Sequence, residues 1–137
     1  MANRASNTYL ENRILSASPL ELVAILYEEA DKSVREALAA LSRGDIRGRS
    51  REITRAQLIL GELSTSLDLE AGGDLAARLG ELYAYLQARL AEANREQNAI
   101  PLEEVSRLLT TLLDGWRECA RTHDSARDAP REVMVTF

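Results

Sequence analysis

The sequence has few of the side chains that carry out chemistry: 137 residues include one cysteine and one histidine. Cys119 alone cannot form an internal disulfide, and with His123 it offers too few ligands for a thiolate or histidine metal cluster. No histidine is placed to activate Cys119, so we expect that residue to be a small core side chain on the last predicted helix. The sequence therefore predicts no catalytic residues, no metal, no cofactor and no enzyme activity.

The chain also lacks an excess of positive charge and any long apolar run. Its net charge is -5 and its pI about 5.0, so its surface would repel a phosphate backbone or an anionic bilayer. No uninterrupted apolar stretch approaches the ~20 residues that span a membrane, and the N-terminus does not read as a signal peptide. We expect a cytoplasmic protein with no nucleic-acid partner and no membrane insertion.

Aromatic residues make up only 4% of the chain, whereas alanine, leucine, glutamate and arginine are abundant. This composition favours packed helices over a sandwich or barrel. Four stretches carry apolar residues at helical spacing, and the first begins with the capping box of Ser18 and Glu21 around Pro19. The predicted connections between these stretches are residues 42–45, 71–74 and 94–99.

Helices of similar length with short connections bury their apolar stripes together by running up and down in turn. The fold class is therefore predicted to be all-α, an antiparallel up-down four-helix bundle over residues 18–121. Residues 1–17 are expected to pack back on this bundle as a plug, and residues 122–137 to form a flexible tail.

Several apolar residues lie outside the stripes that would form the core. Leu22 and Ile25 point away from the core on the first predicted helix, as do Leu58 on the second and Tyr85 on the third. Together they would favour a cover, because each exposed aliphatic side chain forgoes about 1.5–3 kcal/mol. The first 17 residues offer one through four apolar side chains: Tyr9, Leu10, Ile14 and Leu15.

This pattern predicts a masked groove, in which the plug and an external amphipathic helix compete for one surface. The alternative is a structural bundle or adaptor whose surplus apolar residues form a homodimer interface, with no export substrate. Two charged groups are interpreted as solvated faces: an acidic one at Glu28, Glu29 and Asp31, and a basic one at Arg47, Arg49, Arg51 and Arg55.

Four strings in order resemble the flagellar export chaperone FliS family over about residues 8–120. Tyr9 precedes SASPLELVAILYEEA at 16–30, and RAQLILGELSTSLD follows at 55–68. LGELYAYLQARLAEAN occupies 79–94, and the tryptophan of LLTTLLDGWREC falls where the family has one. The C-terminal extension ending in VMVTF has no counterpart.

The resemblance implies an antiparallel helical bundle that holds the disordered C-terminal segment of flagellin and blocks premature polymerisation. It also implies that the N-terminal segment can cover part of this surface, and that the export gate protein FlhA recognises the loaded complex. It assigns Tyr9 to the displaceable plug and makes Gln57, Tyr83 and Tyr85 candidates for the flagellin groove. Leu22, Ile25 and Leu58 are candidates from their helix positions alone, and Tyr83 is equally a candidate core residue.

Overall fold

The computed structural model describes residues 4–125, and all regular structure in that range is α-helical. Five helices follow one another: α1 (Arg4–Ser16), α2 (Pro19–Ser42), α3 (Ile46–Thr65), α4 (Leu69–Glu96) and α5 (Ala99–Ser125). The all-α prediction is confirmed. The predicted C-terminal VMVTF extension lies outside the described residues.

The start of α2 confirms the predicted capping box. The amide of Glu21 donates to Ser18 Oγ at 3.2 Å, and the Ser18 amide donates to Glu21 Oε1 at 2.8 Å. Pro19 takes the first helical position, where its missing N–H removes no helical hydrogen bond. Ser18 is separated from the end of α1 by Ala17 alone, so α1 and α2 join through a very short link.

The connection between α3 and α4 is not where the sequence predicts it. Helix α3 ends earlier than predicted, at Thr65, and Asp68 caps α4 by accepting from the amides of Glu70 and Ala71. The predicted turn at residues 71–74 nevertheless coincides with a break in helical geometry. Helix α4 then continues through the glycines with a kink at Gly73, whose φ of 55° and ψ of −132° suit glycine.

Helix α2 packs against both α3 and α5, and α4 also packs against both. The core between these four helices holds Tyr27, Tyr83 and Trp116 with a set of fully buried aliphatic residues that includes Val34, Ile53, Leu60, Leu63, Leu86, Leu90, Leu102, Val105 and Leu109. Most of these residues belong to the predicted stripes, so helical periodicity identifies the core well.

Cys119 is exposed, so its predicted place in the core is wrong. The Trp116 indole donates to the carbonyl of Leu20 at 3.1 Å, which puts Trp116 level with the first turn of α2. The residue after Cys119, Ala120, is the one that packs against the core at this end of α5, and Cys119 lies beside it on the solvent side. In the described part of the chain, no helix is both long and apolar enough to cross a bilayer.

Candidate functional site

Helix α1 lies against the outer face of α2 and is tied there by charge. Arg13 Nη1 of α1 donates to Glu28 Oε1 of α2 at 3.0 Å. Arg117 Nη2 of α5 donates to the other oxygen of the same carboxylate, Glu28 Oε2, at 2.5 Å. One glutamate therefore joins α1, α2 and α5.

A cavity of about 690 Å³ lies between α1 and the neighbouring faces of α2 and α3. It is lined mainly by polar and charged side chains: Asn7, Tyr9, Leu10 and Arg13 of α1, Glu29, Lys32 and Glu36 of α2, and Glu52 and Arg55 of α3. A second cavity, of about 460 Å³, lies where α2 and α5 meet and also includes Arg13 and Glu28 in its wall. Space thus flanks α1 on two sides, and its contact with the bundle is not close-packed there.

Ile25 is the apolar residue under α1. It is only 3% exposed, which corrects the expectation of an open groove residue, yet it is not part of the cluster of buried residues that the four long helices share. Ile25, Glu29, Lys32 and Glu36 recur at spacings of three or four residues, so they share one face of α2. Since that face lines the cavity beneath α1, we infer that α1 covers Ile25.

Helix α1 leaves much of its own apolar surface uncovered. The side chain of Tyr9 is 65% exposed and that of Leu15 is 83% exposed, whereas Leu10 is half-buried. Tyr9 lines the larger cavity but keeps most of its ring in solvent. The segment expected to cover the bundle is a helix, and only part of its apolar surface faces the bundle.

The remaining candidates are on other parts of the surface. Leu22 is half-buried on α2, Leu58 is 68% exposed on α3, and Tyr85 is 44% exposed on α4. Tyr85 donates its hydroxyl hydrogen to Glu104 Oε2 of α5 at 2.7 Å. The structure therefore places these apolar residues on three helices and does not gather them into one patch with Ile25.

Gln57 and Tyr83 have structural partners. The backbone carbonyl of Gln57 accepts from Gln87 Nε2 at 2.9 Å, and its side chain is half-buried between α3 and α4. Tyr83 is 2% exposed, and its hydroxyl lies 2.6 Å from the Tyr27 hydroxyl. Tyr83 is a core residue, as the alternative interpretation of its position has it, and cannot contact a ligand on the surface.

Charges also shape the α4–α5 edge around Tyr85. Arg89 Nε donates to Glu104 Oε1 at 2.6 Å. The Glu104 carboxylate therefore accepts one hydrogen bond from the Tyr85 phenol and one from the Arg89 guanidinium. The Tyr85 hydrogen bond is the main cause that lowers the pKa of Glu104, and Arg89 adds to it. The same bond raises the pKa of Tyr85. This edge therefore presents a neutral, hydrogen-bonded phenol beside an ion pair.

Sequence reasoning missed the role of the acidic and basic residues, which were read as solvated faces. Besides the Glu28 contacts, Glu29 Oε1 receives Arg55 Nη2 at 3.0 Å, and Asp31 accepts from Ser106 Oγ at 2.6 Å. Arg49 is buried and donates through Nε to Asn94 Oδ1 at 3.1 Å. Each of these contacts joins two different helices, so the charge pattern along a single helix could not predict it.

Among the described residues, no three histidine, cysteine, aspartate or glutamate side chains gather as a metal-ligand set.

The family model for flagellar protein FliS matches residues 1–123. This chain belongs to the FliS family. It is 34% identical over 110 residues to the flagellar secretion chaperone FliS of Salmonella typhimurium, covering 80% of this chain and 82% of the relative. It is 36% identical over 107 residues to the flagellar secretion chaperone FliSB of Pseudomonas aeruginosa, covering 78% and 85%.

A third relative of this FliS-family chain is the flagellar secretion chaperone FliS of Campylobacter jejuni, with 35% identity over 116 residues. The match covers 85% of this chain and 91% of that relative. These relatives are named as chaperones of flagellar secretion and not as enzymes. The resemblance noted in the sequence is thereby confirmed, and flagellum biogenesis is the process to which the chain belongs.

Proposed function

We propose that this chain is a cytoplasmic export chaperone that binds the disordered C-terminal segment of flagellin. Binding keeps flagellin from polymerising early, and the loaded complex is delivered to the export gate protein FlhA. Membership of a family of flagellar secretion chaperones supports this proposal. The structural observation that supports it is Ile25, which is 3% exposed but is not part of the core cluster between the four long helices.

We further propose that α2 to α5 form an up-down bundle spanning 18–121, with 1–17 as a displaceable arm and 122–137 as a tail. Two interhelical pairs support opposite directions for α2 and α5: Trp116 with Leu20, and Ser106 with Asp31. Two others do the same for α3 and α4: Arg49 with Asn94, and Gln87 with Gln57. In each case the residue number rises on one helix as it falls on the other.

In this proposal the flagellin segment binds as an amphipathic helix that replaces α1 over Ile25 and Leu22. Leu58, Tyr85 and the Gln57 amide are further candidate contacts, since each retains at least partial exposure on α3 or α4. A flagellin segment long enough to reach α2, α3 and α4 would have to wrap around the bundle. Tyr83 is not among the contacts, because it is buried against Tyr27.

Isothermal titration calorimetry with a flagellin C-terminal peptide tests the proposal. Burial of apolar surface predicts a negative heat-capacity change on binding, offset by ~2–5 kcal/mol or more for ordering the peptide. Deleting residues 1–16 should strengthen binding if they act as a plug. Absence of heat at several temperatures, with no change in mobility on saturation, would contradict the proposal.

The homodimer alternative makes a different prediction in the same samples. Sedimentation velocity at several protein concentrations would then show a stable dimer that the flagellin peptide does not alter. The export chaperone instead gives a complex of one chain with the peptide, and Ile25→Ser reduces its affinity.

A further inference from the structure

Helix α4 turns one line of residues toward α5. Leu75, Leu82 and Arg89 recur every seven residues, so they share one face of the helix. Arg89 donates to Glu104 of α5 at 2.6 Å, which places this face beside α5. Leu82 is half-buried against the core, and Leu75 is 49% exposed. Apolar surface is therefore open along this side of α4, toward the start of the helix.

Helix α5 contributes the other side of the same seam. Leu108, Leu112 and Gly115 follow Glu104 at helical spacings, so they lie on its side of α5. Both leucines are half-buried against the core, and Gly115 is exposed, with no heavy atom within 4 Å of an added Cβ. In the up-down arrangement proposed above, Gly115 is level with Leu75. We call these five residues the α4–α5 strip: Leu75, Leu82, Leu108, Leu112 and Gly115.

Residues 133–137 have the chemistry to cover such a strip. They read VMVTF, with four apolar side chains and no charge, and they lie beyond the family match, which ends at residue 123. Helix α5 extends to Ser125, which is about 15 Å beyond Gly115 along the helix axis. The intervening residues 126–132 can span up to about 23–25 Å, so Val133 can reach Gly115 and the residues after it can reach Leu108.

We propose that the α4–α5 strip is a binding surface for residues 133–137 of the same chain. The short connection holds this segment near the strip at an effective concentration in about the millimolar range, an advantage that no separate molecule has. A second copy of the chain is a poorer occupant, because a stable dimer buries about 800 Å² per partner and the strip is only about 10 Å long. The inference goes beyond the proposed function, since it involves residues outside the family match and needs no flagellin.

Fluorine NMR on the full chain tests the proposal, because Phe137 is the only phenylalanine and 4-fluorophenylalanine there gives one signal. We expect this signal to be shifted and broadened relative to that of a synthetic peptide of residues 126–137. Leu75→Ser should return it toward the peptide value. Leu58→Ser is the matched control and should leave the signal unchanged, because Leu58 is an exposed leucine on α3, away from the strip.

Three outcomes of this experiment would overturn the proposal. The first is a signal in the full chain that matches the free peptide, and the second is an equal response to Leu75→Ser and Leu58→Ser. The third is a signal that changes with protein concentration, since a second copy would then supply the strip.

Hydrogen–deuterium exchange on the full chain gives a second measure of the same contact. Amides of residues 133–137 should exchange about two- to fivefold faster in Leu75→Ser than in the wild-type chain, because the cover opens more often. Val135→Ser changes the segment and leaves the helices intact, and it should give the same increase. Wild-type exchange rates in both variants would overturn the proposal.

Discussion

The hydroxyl oxygens of Tyr27 and Tyr83 lie 2.6 Å apart in the core, one on α2 and the other on α4. The Trp116 ring meets Tyr27 edge-on, with centroids 6.0 Å apart and planes at 83°. Burial raises the pKa of both tyrosines, so both hydroxyls stay protonated at neutral pH. The pair gives the apolar core one directional contact between α2 and α4.

Replacing either tyrosine of this pair with phenylalanine should destabilise the fold. Tyr83→Phe leaves the Tyr27 hydroxyl buried without its partner, which costs about 1–3 kcal/mol. Tyr27→Phe should cost a similar amount for the same reason. Urea denaturation followed by far-UV circular dichroism measures the loss.

The double variant Tyr27→Phe/Tyr83→Phe provides the control for this pair. It removes both polar groups together, so its loss should be smaller than the sum of the two single losses. Strict additivity in the double-mutant cycle would mean that the two hydroxyls do not interact.

Ile25 and Leu60 are both buried, but their truncation should have different consequences. Leu60→Ala opens a cavity in the core and should lower the free energy of global unfolding by about 2–5 kcal/mol. Ile25→Ala should lower the free energy of global unfolding by about 1 kcal/mol or less. It should instead speed amide exchange in residues 4–16, because it weakens only the contact between α1 and α2. An equal loss in urea from the two variants would place Ile25 in the global core.

The contrast between these residues shows what the sequence could reveal. Periodicity predicted that Leu60 faces inward and Ile25 outward, since the spacing of apolar residues along a helix shows which of them share one face. It could not predict that α1 covers Ile25, because that depends on a neighbouring element with weak apolar patterning of its own. The Glu28 contacts were hidden for the same reason, since Arg13 and Arg117 come from distant parts of the chain.

Local signals succeeded where only one solution existed. Ser18, Pro19 and Glu21 fixed the start of α2, because the capping box closes within four residues. The glycines at 72 and 73 predicted a break that the structure has at Gly73, but they gave no signal for the earlier end of α3 or for the cap at Asp68.

Asp45 should make the stability of the fold depend on pH at the acid end. The Gly48 amide donates to Asp45 Oδ1 at 2.9 Å and is the main cause of the lowered pKa of that carboxyl. The pKa of an aspartate in an unfolded chain is about 3.9. The stabilisation by Asp45 is therefore complete above that pH and is lost as the pH falls through the lower pKa of the folded chain.

Asp45→Asn is the matched variant for this prediction, since asparagine also caps helices but does not titrate. Its urea midpoint should fall less than that of the wild-type chain between about pH 5 and pH 2.5. Parallel decreases of the urea midpoint in the two proteins would show that Asp45 ionisation contributes nothing to the loss of stability at acid pH.

The kink at Gly73 should be sensitive to the addition of a methyl group. With φ of 55° and ψ of −132°, Gly73 occupies backbone space that other residues enter only with strain, although no heavy atom lies within 4 Å of the added Cβ. Gly73→Ala should therefore destabilise the fold by about 1–3 kcal/mol through the backbone alone. Gly61→Ala, in the middle of α3 and equally free of contacts, should instead stabilise it by about 0.5–1 kcal/mol. Thermal unfolding of both variants distinguishes backbone strain from crowding, and a stabilised Gly73→Ala would show that α4 can straighten across the kink at no cost.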